Sequence, residues 1–96
     1  MPYERQVIWS AESSRKAVLI KEFLLEEWSE KEVFKFFEKL KKFEHRVQQF
    51  PLLYPASLKH PELRKAVISK NQSVIYEVDD DSIRIITILD HRQQET

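Results

Sequence analysis

Not one of the 96 residues is glycine, and this absence narrows what the chain can become more than any residue it contains. Glycine is the usual choice wherever a backbone takes φ above zero or must approach a phosphate closely, and it makes up about 7% of an average chain. Without it, the turns between strands fall to asparagine, aspartate and other short polar residues. P-loops, dinucleotide fingerprints, nucleophile elbows and EF-hand loops all require glycine at set positions, so none of them can be written here. Cysteine is also absent, which removes disulfides, thiolate zinc sites, iron–sulfur clusters and cysteine nucleophiles. The core must then carry stability unaided, as suits a reducing cytoplasm, and no cofactor or metal is expected.

Sixteen basic residues balance sixteen acidic ones. A zero net charge argues against a wholly electrostatic nucleic-acid binder, whose domain pI would exceed about 9, but leaves room for a local basic patch. No run approaches the roughly 18 apolar residues of a membrane span, and Tyr3, Glu4 and Arg5 do not begin a signal peptide. A length of 96 residues implies one domain, 1–96, placed in the cytoplasm.

Periodicity divides the chain into a helical first half and a strand-rich second half. Gln6 to Trp9 reads as a short strand, and Ser10 stands where a helix N-cap belongs. Ser13, Ala17, Ile20, Leu24 and Trp28 follow at spacings of three and four, a core-facing stripe. Val18, Leu19 and Leu25 lie off that stripe; they read either as a widened core face or as apolar surface for a partner. Ser29 to Glu32 has the capping-box spacing. Val33, Phe36, Phe37, Leu40, Phe43, Val47 and Phe50 then mark a second helix, which Pro51 stops. Glu22, Glu26, Glu27, Glu30 and Glu32 crowd its approach, whereas Lys35, Lys39, Lys41, Lys42 and Arg46 fill its length; this segregation reads as helix-end chemistry and a solvated face. Beyond the proline-bracketed connector 50–55, strands are expected over 63–68, 74–78 and 83–89, with turns at Lys70-Asn71-Gln72 and Asp79-Asp80-Asp81. The fold class is therefore α+β, in the order βααβββ, with a helical hairpin packed on a small, mainly antiparallel sheet. Ile20, Leu24, Phe36, Phe37, Leu40, Phe43, Val67, Ile75 and Ile85 are expected in one core. Gln93 to Thr96 read as a frayed end.

The three histidines, His45, His60 and His91, have no metal-ligand spacing. Basic groups instead gather in the second half: Lys59, Arg64, Lys65 and Lys70 against Glu62, then Arg84, His91 and Arg92. Strand alternation puts Arg64 and Lys65 on opposite faces. Metal-free RNA cleavage needs a base for the 2′-hydroxyl, an acid for the leaving oxygen and cations for the phosphate. Arg64 and Arg92 suit the phosphate, and His91 suits proton transfer. Lys59, Lys65 and Arg84 suit the surrounding nucleic-acid or target contact. The plain alternative is that all of these are ordinary solvated strand residues.

Several local sequences, in this order, resemble the RelE/ParE superfamily of bacterial toxin–antitoxin toxins. They are Val7-Ile8-Trp9-Ser10, the Phe50-Pro51 helix stop, Leu63-Arg64-Lys65, Val74-Ile75-Tyr76-Glu77-Val78-Asp79-Asp80 and Ile88-Leu89-Asp90-His91-Arg92-Gln93. The resemblance covers nearly the whole chain. It implies a compact α+β toxin neutralised by a cognate antitoxin, as a hetero-oligomer with it or as a homodimer. RelE-like members cut messenger RNA on the ribosome, whereas ParE-like members inhibit DNA gyrase. The ribosomal cutters commonly place an arginine three residues before the strand tyrosine, where this chain has Ser73. That departure and the neutral charge count against cleavage. The target stays open between messenger RNA on the ribosome, gyrase, and another partner of a diverged, non-catalytic binder.

Overall fold

The structure, a computed structural model, describes residues 5–92; the expected frayed end at 93–96 lies outside them. The elements are β1 (Gln6–Trp9), α1 (Ala11–Glu27), α2 (Glu30–Gln49), β2 (Arg64–Val67), β3 (Gln72–Val78) and β4 (Ser82–Asp90). The sheet runs β1-β4-β3-β2. β1 pairs parallel with β4, and the other two pairings are antiparallel. Both helices pack on one face of this mixed sheet, so the α+β class and the order βααβββ are as expected.

The helices begin where short hydroxyl side chains can satisfy the first free amides. Ser10 Oγ accepts from Ser13 N at 2.9 Å, and Ser29 Oγ accepts from Glu32 N at 3.4 Å. Ser10 does a second job. β4 carries one extra residue, because the partner of Ile75 is Thr87 whereas that of Tyr76 is Ile85. The bulged Ile86 leaves its carbonyl out of the ladder, and Ser10 Oγ lies 2.8 Å from it. One residue thus caps α1 and anchors it to the sheet.

Ser13, Ala17, Ile20 and Leu24 of α1 and Phe36, Leu40, Phe43 and Val47 of α2 are buried against Ala66, Val74, Tyr76, Ile83, Ile85 and Ile88. Phe43 and Tyr76 meet edge to face at 5.4 Å, and Tyr54 completes the aromatic group at 6.0 and 6.3 Å. The Tyr76 hydroxyl donates to Pro51 O at 2.9 Å, tying the connector after α2 to the middle of the sheet.

Several expected core positions lie elsewhere. Phe37 is 42% exposed; neighbours on a helix diverge by about 100°, so Phe36 turns inward and Phe37 rests beside it. Phe50 is exposed at the helix end. Trp28 is exposed because α1 stops at Glu27 and the chain turns there toward α2. In β2 and β3 the parity is opposite to the one expected. Ala66 opposite Val74 faces the helices, so Val67 and Ile75 fall on the open face, Val67 64% exposed. The turns also differ in origin. No described residue has positive φ; Ser69 Oγ instead accepts from Asn71 N and Gln72 N at 3.2 and 3.1 Å and closes the β2–β3 turn.

Candidate functional site

The six basic residues singled out in the second half divide among three places. Arg64 opens β2 opposite Tyr76, and its Nη1 donates to Tyr54 O at 2.7 Å. Burial pushes the Tyr76 phenol above the ordinary tyrosine range, and the Arg64 charge opposes that shift. Lys65, one residue on, lies on the sheet's open face opposite Ile75. Lys59 is exposed in the loop before β2.

Arg84 is on the open face of β4 opposite Glu77, with which it forms an ion pair, and its Nε is 3.4 Å from Asp79. The Glu77 contact raises the Arg84 guanidinium above its ordinary range, helped by the Asp79 charge. Glu77 and Asp79 therefore offset this cation before any ligand arrives. His91 Nε2 lies 3.4 Å from the buried Ser73 Oγ, and its backbone N–H donates to Asn71 O at 2.7 Å.

Arg92 turns the other way. Its guanidinium sits 5.0 Å from the Trp28 ring centroid and 5.9 Å from that of Phe23. It is also 3.3 Å from the fully buried Asp90 carboxylate, which accepts from Gln72 Nε2 at 2.9 Å as well. Arg64 stands opposite Tyr76 and Asp90 opposite Gln72. Four residues of β3 separate those points, roughly 13 Å along the strand at ~3.3 Å per residue. Arg64 and Arg92 do not converge, and each is engaged by its own fold; His91 is on the opposite face from Arg92. Lys65, Arg84 and His91 do share the open face, with Ser73 beneath His91. Among the described residues no cluster of histidine and carboxylate side chains could hold a metal.

Val18, Leu19 and Leu25 are exposed on α1, so they do not widen its core face and are left as apolar surface. Phe34 and Trp28 extend this apolar surface around the hairpin. A second exposed apolar area, Phe50, Leu52 and Leu53, borders a shallow depression with Arg5 and Val78. In the sequence these residues read only as a proline-bracketed connector.

A third feature lies on what the sequence reads as a solvated face. Lys39, Lys42 and Arg46 line a cleft of about 210 Å³ between α2 and β2, with Tyr54 and Phe43 in its wall. The spacing of four, three and four from Lys35 to Arg46 was the available signal; the opposing wall comes from residues far along the chain.

Comparison with known proteins matches residues 7–95 to the family model described as ParE toxin of type II toxin–antitoxin system, parDE. Among solved structures, the chromosomal ParDE toxin–antitoxin system of P. aeruginosa is similar with a TM-score of 0.76 and 13% identity. The alignment covers 93% of this chain and 98% of that one. The E. coli DinJ–YafQ toxin–antitoxin complex follows at 0.67 and 17%, covering 97% and 99%. The YoeB/ParE toxin of Agrobacterium tumefaciens gives 0.61 and 14%, covering 90% and 98%. No curated protein matches the chain in sequence.

Proposed function

The chain belongs to the ParE toxin family of type II toxin–antitoxin systems, and from that premise we propose that it is a toxin that arrests its host by binding DNA gyrase. It acts in the cytoplasm as one domain spanning 1–96, cuts no RNA, and is held inactive by a cognate antitoxin. One observation carries the choice of mechanism: Arg64 and Arg92, the arginines a scissile phosphate would need, are held by separate partners, Tyr54 O and Asp90; Arg64 stands opposite Tyr76 and Asp90 opposite Gln72, roughly 13 Å apart along β3. Stabilising a phosphorane-like charge requires donors preorganised around one point, and these arginines are not.

A second reading rests on the open face. Lys65 and His91 stand there with Ser73 between the strands, a cation and a proton carrier on one surface, so RNA cleavage would use those groups. The antitoxin proposal rests on Val18, Leu19 and Leu25, exposed on α1, and on the solved relative that is itself a toxin–antitoxin complex. An amphipathic segment laid on that surface would remove apolar area from water.

The test uses the purified chain without its antitoxin in two assays. Gyrase supercoiling should fail in its presence, while ribosome-bound messenger read by primer extension stays intact. Cleaved messenger with supercoiling untouched would establish the second reading instead.

A further inference from the structure

The cleft between α2 and β2 concentrates charge in a chain whose net charge is zero. Lys39, Lys42 and Arg46 line it, Lys39 also borders the adjoining depression with Lys35 and Lys70, and Glu32 is the lone carboxylate lining either one. Among the described residues, Lys39, Lys42, Arg46 and Lys70 take part in no ion pair. Like charges held together without counter-charges repel one another and cost stability, so their retention on one face calls for a ligand that neutralises them. From Lys35 to Arg46 the row rises about 16 Å, at ~1.5 Å per residue, with one cation for each helical turn.

We infer that this cleft binds the phosphodiester backbone of a single nucleic-acid strand. Two features favour that ligand over an acidic peptide. Tyr54, held in place by Phe43 and Tyr76 at 6.0 and 6.3 Å, lines the cleft beside the cations; a fixed aromatic among cations is what strand binding uses, since every base offers a π-face. A peptide that folds on binding needs apolar anchors, yet the large exposed apolar residues otherwise lie on β1, α1, the hairpin turn, the first turns of α2, the 50–53 connector and at Leu58, and Val67 alone among them lines the cleft. The site is independent of the readings above: Arg64, Lys65 and His91 do not line it.

Fluorescence anisotropy of the full chain with labelled single strands of roughly 12 nucleotides, within the ~4–16 that one small fold covers, tests this. Oligo-dT and oligo-rU are the two arms, and the tighter one identifies the natural strand. Four phosphate contacts at ~−0.7 each predict a log–log salt slope near −3, about fifty-fold weaker binding between ~50 and ~200 mM salt. The triple variant K39Q/K42Q/R46Q should reduce the slope to about −1 and lose more than about tenfold in affinity. A matched variant away from the cleft, K16Q/K21Q/K31Q, should lose little. Photocrosslinking of a thiouridine-bearing strand to the unmutated chain should label peptides within 35–54. No strand binding at about 50 mM salt, equal loss in both variants, labelling confined to other peptides, tighter binding of a duplex, or equal competition by poly-glutamate of matched charge would each overturn the proposal.

Discussion

Replacing Arg92 by alanine separates a structural arginine from a reacting one. In the fold, its guanidinium lies 3.3 Å from the Asp90 carboxylate, whose side chain is fully buried, and over the Trp28 ring at 5.0 Å. Removing the cation leaves a buried carboxylate with Gln72 Nε2 and the residue-92 backbone amide as its remaining donors. Breaking a buried pair costs ~3–5 kcal/mol when both partners are fully enclosed. The Arg92 side chain keeps 19% of its surface in water, so about 2–4 kcal/mol is expected, of which ~0.5–1 belongs to the aromatic contact. Asp90→Asn should reduce the loss seen on top of it, because a neutral amide tolerates burial without a cation. A double-mutant cycle of Arg92→Ala and Asp90→Asn should show a coupling of about 1–3 kcal/mol. Urea melts of the purified chain give the stabilities, and growth arrest on induction gives the activity. If the arginine is structural, arrest should weaken in step with stability and recover at lower temperature. An Arg92→Ala chain with stability changed by less than ~0.5 kcal/mol, below the usual effect of a structural contact, and with arrest abolished, would refute the reasoning and return Arg92 to the target surface.

The remaining predictions address core, pH and partner. Leu40→Ala, at a position 3% exposed, should cost ~2–5 kcal/mol in a denaturant melt. Phe37→Ala should cost less than about half of that because much of its ring already meets water. Because burial raises the folded Tyr76 phenol above its unfolded value, its contribution is complete below the unfolded pKa of ~10 and is lost as pH rises through the folded one. Tyr76→Phe should therefore flatten the alkaline fall in stability measured by urea midpoints from pH ~8 upward, at the cost of leaving Pro51 O without its donor. Leu19→Asp with Leu25→Asp should leave the melting temperature of the isolated chain nearly unchanged and weaken antitoxin binding at least about tenfold, by calorimetric titration with the cognate antitoxin.

Local chemistry made a large part of the fold legible. Ser10 and Ser29 mark helix starts because a hydroxyl in that position satisfies amides two or three residues on, a relation contained within a few residues. The stripes Ser13–Leu24 and Phe36–Val47 announce helices because their period is the helix's own. The absence of glycine restricts the chemistry without reference to any contact. Which face of a strand turns inward is not local in that sense. Val67 and Ile75 are as apolar as Val74, and their place on the open face follows from the pairing of Ala66 with Val74, since a shift of one residue exchanges the faces; the bulge at Ile86 likewise lets both Ile85 and Ile88 face inward. The basic groups show the same division. Their identities and the even spacing from Lys35 to Arg46 were plain in the sequence. Whether a cation faces a cleft, a carboxylate or an indole depends on residues brought together from far along the chain, as Arg92 meets Trp28 and Lys42 lines one cleft with Val67. Electrostatic roles are set by distance in space, and only the tertiary fold supplies that distance.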